Sequence, residues 1–303
     1  MRKTINTTHI EGRVYEHNLE KKISGETSKN PGTEYITGTL NIATDDDCMN
    51  VVPVHFTYVT ETTKSGKSNN TFVILNAIIA GKIGTVIANG KDNAGMLRID
   101  SAIALNEWYD QQGTLISVKR NEGGFIHQVN ELCDEKQRST FNTDIVITGC
   151  VRAEPDEERG LSERMTVKGA IFDFRNALLP VEFTVVHPGA MDYFEGLDAG
   201  PKNPVFTRVQ GKQISQTVIK NTTEESAFGD AIVKQTKSSY KDFVITWAQA
   251  EPYEWDSEET ILASELAEAV SNREIYKAEL KKRQDEYQAS KNTVAPAKGA
   301  YNF

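Results

Sequence analysis

Leu179-Pro180-Val181-Glu182-Phe183-Thr184-Val185-Val186 repeats Val52-Pro53-Val54-His55-Phe56-Thr57-Tyr58-Val59, with Pro, Val, Phe, Thr and Val at the same offsets. Two further matches precede this pair in the same order. Ile147-Thr148-Gly149-Cys150-Val151-Arg152 follows Ile10-Glu11-Gly12-Arg13-Val14-Tyr15, and Val167-Lys168-Gly169-Ala170-Ile171-Phe172 follows Ile36-Thr37-Gly38-Thr39-Leu40-Asn41. An internal repeat of this kind predicts two copies of one structural unit. Glycine recurs inside the first two strands of each copy, and glycine in a strand interior marks a bend or bulge, as at a barrel corner. The plainer alternative is two unrelated β-meanders that look alike because both alternate.

Outward from the repeat, the period of the apolar residues predicts the elements. Tyr35 to Ala43 alternates, with Ile36, Leu40 and Ile42 on one face and Tyr35, Thr37, Thr39 and Asn41 on the other. In the next strand Val54, Phe56 and Tyr58 share a side. Phe72, Leu75, Ile78, Ile79 and Ile83 then recur at helical spacing, and Asn89-Gly90 closes that helix. Met96 to Tyr109 and Thr114 to Val118 return to strand character, with Asn121-Glu122-Gly123-Gly124 as a turn. Three strands, a helix and two strands is the order of an OB-type barrel.

The second copy adds a short helix over 190–197, a strand from Arg208 to Lys212 and a closing strand from Asp242 to Ala248. This leaves a polar insertion, 221–239, without an assigned place. Glu258 to Ala289 lacks Pro and Gly and carries Ile261, Leu262, Leu266, Val270, Tyr276 and Leu280, which predicts a helix packed through its first half. The expected fold is mainly β, two tandem five-stranded OB-type barrels plus a C-terminal α-helix. The expected units are 1–137 and 138–256 for the barrels, 257–290 for the helix and 291–303 for a flexible tail.

Composition narrows the function. The 303 residues carry 38% hydrophobic and 25% charged side chains, enough apolar surface for a substantial core. No run approaches the roughly 20 apolar residues that span a bilayer, and Met1-Arg2-Lys3-Thr4-Ile5-Asn6 has no apolar signal core, so the expected location is cytoplasmic. Cys48, Cys133 and Cys150 are odd in number and far apart, which argues against a disulfide framework and a zinc site. The five histidines show neither H-E-x-x-H nor pairing with Cys. Thr63-Lys64-Ser65-Gly66-Lys67-Ser68 departs from a phosphate-binding loop, since Glu61 stands where its first glycine belongs. Asp45-Asp46-Asp47 lacks the spacing of a calcium loop. There is no G-x-S-x-G. These readings predict a binding protein, not an enzyme, with no metal and no cofactor.

Candidates for binding are the outward side chains of the barrels. An OB-type barrel holds oligonucleotides by stacking bases on aromatic rings while Lys and Arg follow the phosphates. The first copy offers Arg13, Tyr15, Tyr35 and His55, then Arg98, Trp108, Lys119 and Arg120, with Tyr109 and Phe125 alongside. The second offers Arg152, Lys168, Phe172, Phe174, Arg175, Arg208, Lys212 and Trp247, with Lys220 beyond. Singly, a strand aromatic is more often core and an isolated Arg merely solvated. Together they predict a cationic, ring-lined trough over both halves. The net charge of −9 runs against that prediction unless the acidic runs lie elsewhere.

Asn6-Thr7-Thr8-His9-Ile10-Glu11-Gly12-Arg13-Val14, Gly38-Thr39-Leu40-Asn41-Ile42-Ala43 and Val54-His55-Phe56 resemble the N-terminal half of bacterial-type single-stranded DNA-binding proteins. With Val118 to Phe125 and Ala170 to Phe174, the whole chain is similar to bacteriophage proteins of that role. The resemblance implies sequence-independent binding and protection of single-stranded DNA in phage replication or recombination, with replication or recombination proteins as further partners, no membrane, and self-association through the C-terminal helix. Val52 to Val59 stands in place of the family's tryptophan-bearing third strand, and Tyr301-Asn302-Phe303 in place of its acidic tip. The alternative is a structural or protein-interaction barrel, a viral assembly or host-interference factor, that does not bind nucleic acid.

Overall fold

The computed structural model describes residues 4–155, 162–224, 232–257 and 261–293. Side chains of 216–224, 232–239 and 290–293 lie outside that description, as do most of the expected tail and the candidate Lys220. Among the described residues eleven strands form one sheet, with strand order β10-β11-β9-β8-β7-β1-β5-β6-β4-β3-β2.

The first half contributes β1 (Asn6–His17), β2 (Glu20–Ile23), β3 (Glu34–Ala43), β4 (Val51–Thr60), helices α1 (Asn70–Ile79) and α2 (Val86–Asn89), then β5 (Met96–Tyr109) and β6 (Leu115–Gln128). Pairing runs from β1 to β3, β3 to β4, β4 to β6, β6 to β5 and back to β1, so the ring returns to its start. Its seam is a short parallel pairing, Val54 with Asn121 and His55 with Glu122. Alternation puts Ile10, Val14, Ile36, Leu40, Ile42, Val52, Val54 and Phe56 inside, and α1 caps them with Phe72, Leu75 and Ile78. Asn69 starts α1 by accepting from the Thr71 backbone N–H.

The second half has β7 (Ser139–Ala153), β8 (Arg164–Phe172), β9 (Leu178–Val185), α3 (Pro188–Gly196), β10 (Val205–Glu224) and β11 (Ile232–Ala248). Its ring runs β7, β8, β9, β11, β10 and back to β7, through a single parallel pair, Val244 with Thr184. Phe141, Ile145, Ile147, Val167, Ile171, Phe183 and Val185 fill it.

The expected strand order holds, but the register of the repeat does not. Val14 faces Ile42 just before a bulge in β1, and Ile147 faces Gly169 just before the bulge in β7. Aligned on those bulges, Gly169 matches Ile42 rather than Gly38, and Val181 matches Val52 rather than Val54. Even offsets preserve the buried face, which is why a shifted match still looks correct in the sequence. Gly12 earns its place by close approach, since a Cβ there would stand 2.0 Å from the Ala43 carbonyl oxygen. Gly12→Ala is expected to lower unfolding free energy by about 1–3 kcal/mol in denaturant titration, because a strand carbonyl has nowhere to move.

Two long hairpins lock the halves together. The β5–β6 ribbon closes the first ring with its inner part, then sends Ile103 and Leu105 into the core of the second. In the other direction, Gln213 of β10 meets the first ring: its carbonyl accepts from Asn50 Nδ2 at 3.2 Å and its Oε1 from Asn121 Nδ2 at 2.7 Å. The polar stretch expected as an insertion continues this second hairpin, whose backbone register runs out to Glu224 opposite Ile232. The first residues of β1 also pair with β7, Asn6 with Thr143 through Ile10 with Ser139.

Helix α4 (Ala263–Thr293) closes the molecule. Ile261, Leu266 and Ala269 pack with Val146, Phe172, Leu178 and Phe206 of the second half, while Arg273 reaches Glu107 on the first hairpin. No helix among the described residues is long and apolar enough to cross a membrane.

Candidate nucleic-acid interface

A groove of about 870 Å³ runs along the junction of the halves, floored by β1, β5 and the start of β7. Two phenylalanines flank it, Phe125 at 76% exposure and Phe174 at 83%. Local backbone explains both. Gly123 and Gly124 adopt positive φ (67° and 121°) inside β6, forming a bulge where Asp100 pairs with Phe125 and Ala102 with Glu122. The kink turns Phe125 outward. Phe174 and Arg175 ride the β8–β9 turn, where the Asp173 carboxylate accepts from the Arg175 and Ala177 backbone N–H groups, both at 2.8 Å. The Arg175 guanidinium lies 4.8 Å from the Phe174 ring centroid, an exposed cation–π pair. Asp100 and Glu122 bring negative charge to the same rim.

A smaller cavity of about 250 Å³ gathers His55, Trp108, Lys119 and Arg120 with Lys241 of β11. His55 shares a 2.9 Å hydrogen bond with Thr39 Oγ1, and burial followed by the nearby Arg120 charge holds its imidazole below the ordinary value. Lys241 is exposed and has no ion pair among the described residues. The sequence hides it at the edge of the supposed insertion.

Several candidates need correction. Phe172 is fully buried beneath α4, so no base can reach it. The Lys119 ammonium sits 5.1 Å and 5.0 Å from the Phe183 and Phe243 rings and donates to the Glu182 carbonyl, and burial lowers its pKa. It plugs the second barrel instead of meeting phosphate. Arg152 is surrounded by Glu163, Asp192 and Glu195 at 3.2, 2.6 and 2.6 Å. Arg208 pairs with the buried Asp144 at 2.8 Å, Lys168 with Glu182 at 3.4 Å, Arg98 with Asp100 at 3.4 Å and Arg120 with Glu122 at 2.5 Å. Among the described residues the continuous cationic trough is therefore absent in the expected form, and the first hairpin and α4 line one cavity with the β8–β9 face.

Arg13, half-buried, and Lys212, exposed, have no ion pair among the described residues. Tyr15 is half-buried on β1, and Trp247 is exposed on β11 opposite Gln210. Tyr35 lies 4.5 Å from Tyr58 with the rings tilted, and Tyr58 faces solvent because a bulge in β4, where Thr57 and Tyr58 stand opposite Thr37 alone, breaks the alternation that had placed it inside.

One cluster escaped the sequence altogether. His9, Glu11 and Cys133 each bring one ligand-type atom to within 4.8 Å of the others on the outer face of β1.

Among solved structures, the chain is similar to a deletion variant of the single-stranded DNA-binding protein from Thermus aquaticus. Identity is 8%, the match covers 86% of this chain and 100% of that one, and the TM-score is 0.49. No curated protein matches the sequence. The family model for YorF matches residues 4–286, across both barrels and most of α4, and the chain belongs to the YorF family.

Proposed function

We propose that the chain binds single-stranded DNA without sequence preference, as a binding protein and not an enzyme, with bases held chiefly by stacking. The observation that carries this reading is the pair of exposed rings, Phe125 and Phe174, on either side of a groove between two barrels of OB connectivity. Large apolar side chains left in water beside a groove mark contact surfaces, and every base has a face to stack on. The units 1–137 and 138–256 would act as one platform, and the cover of phage replication or recombination intermediates belongs to the same proposal.

Ion pairing sets the expected salt dependence. Of the candidate cations, Arg13, Arg175 and Lys212 have no carboxylate partner among the described residues, and Lys241 joins them. With at most about 4 phosphates neutralised, log affinity should fall with log salt at a slope no steeper than roughly −3. Titrating labelled oligo-dT and following anisotropy and tryptophan quenching tests both points. Phe125→Ala and Phe174→Ala are each expected to weaken binding by about 1–3 kcal/mol. No saturable binding, or a double variant that binds like the parent chain, sinks the proposal.

A second reading, a protein-interaction barrel, is favoured by Arg152 inside its three carboxylates and by the net charge of −9. On that reading the phenylalanines contact a protein, and oligo-dT does not bind.

A further inference from the structure

His9 and Glu11 stand two residues apart on β1, so both side chains leave its outer face. Glu11 is only 5% exposed, and its Oε1 accepts from the Cys133 backbone N–H at 2.6 Å. The loop bearing Cys133 is pinned in turn. Arg138 Nε donates to the Cys133 carbonyl at 2.7 Å, Nη1 holds Asp46 at 2.7 Å, and the Arg138 carbonyl accepts from Glu11 N at 2.7 Å. All three groups are thus held in place before any ligand arrives.

The hydrogen bonding suits a metal. His9 Nδ1 lies 3.0 Å from Asp100 Oδ1, the outer carboxylate that commonly orients a ligating imidazole. With its proton on that side, the Nε2 lone pair points toward Glu11 Oε2, 3.6 Å away. Two acceptors facing each other call for a positive charge between them. Ligand atoms about 2.1 Å from a tetrahedral zinc stand roughly 3.4 Å apart, close to the 3.6 Å between His9 Nε2 and Glu11 Oε2, and the Cys133 thiol lies within 4.8 Å of both. A divalent cation, one thiolate and one carboxylate also sum to zero charge, which suits a site walled by a buried glutamate.

We propose that His9 Nε2, Glu11 Oε2 and Cys133 Sγ bind one zinc-class divalent cation, with a fourth position open to water. Imidazole, carboxylate and thiol together select that class over magnesium or calcium. Binding releases the Cys133 proton to solvent; in the free site, burial and Glu11 push that thiol's pKa up. The proposal does not rest on nucleic-acid binding, although His9 and Asp100 also line the groove between the halves.

Cobalt(II) titrated into the full, chelator-stripped chain tests it. One equivalent is expected to give thiolate-to-cobalt charge-transfer absorption in the near ultraviolet and visible bands of four-coordinate strength, both removed by zinc. Cys133→Ser should abolish the charge-transfer band, while Cys48→Ser and Cys150→Ser leave it intact. Asp100→Asn should weaken binding by about 10–100-fold. Glu11 is left unchanged because it also holds the Cys133 amide, and circular dichroism checks that each variant is folded. No thiolate band at one equivalent, or a band that survives Cys133→Ser, overturns the site.

Discussion

Arg273→Ala is expected to lower the stability of the chain by about 3–5 kcal/mol, the cost of stranding one partner of a buried ion pair. Glu107 and Arg273 side chains are 1% and 9% exposed, and both guanidinium Nη atoms reach the carboxylate, Nη1 to Oε2 at 2.7 Å and Nη2 to Oε1. The arginine also lies 5.2 Å from the Tyr276 ring. Without it, Glu107 remains buried on β5 with no counter-charge, and α4 loses its anchor on the first hairpin. Guanidinium unfolding measures the loss. The apolar double variant Glu107→Leu with Arg273→Met should recover most of it, since well-packed hydrophobes replace a buried pair at little or no cost. A single variant as stable as the parent would show that α4 does not depend on this contact.

Phe183→Ala is expected to cost a similar amount, about 3–5 kcal/mol. The ring is fully buried, stacked 5.0 Å from Phe141 and tilted at 6.2 Å from Phe243, with the Lys119 ammonium above it. Its loss opens a cavity and removes the aromatic floor that receives the first hairpin. Both the core of the second barrel and the seat of its neighbour should weaken together. One cooperative unfolding transition at lower denaturant, not two separated steps, is the expected readout by fluorescence and circular dichroism.

Alternation and helical spacing made most of the architecture legible: the β3 and β4 faces, helix α1, and the order of strands in both rings. Most of what failed shares one cause, that bulges and partners far along the chain leave no local pattern. Asn121-Glu122-Gly123-Gly124 reads as a turn, yet its glycines make a bulge inside β6, so the strand runs on to Gln128. Tyr58 changed sides at another bulge, and β2 is short and exposed throughout, with no apolar rhythm to announce it. The polar stretch of β10 and β11 reads as an insertion because a ribbon projecting from a barrel needs no apolar face.

For the candidate site, exposed rings were easier to recognise than free cations. Whether an arginine is available depends on carboxylates elsewhere: Arg152 is neutralised by Asp192 and Glu195, and Arg208 by Asp144. Phe172 was lost to a helix that begins about 90 residues later along the chain. His9 and Glu11 show their spacing plainly, but Cys133 joins them only through the loop that Arg138 ties down.

The reciprocal hairpins bear on how this chain is made. During translation Ile103 and Leu105 emerge long before Ile245, the last buried strand residue of the core that covers them. At about 5–20 residues per second, the roughly 140 intervening residues take on the order of 10–30 s. For that interval the nascent first half presents a sticky, half-dressed ribbon, which makes the growing chain a natural client for ribosome-associated chaperones.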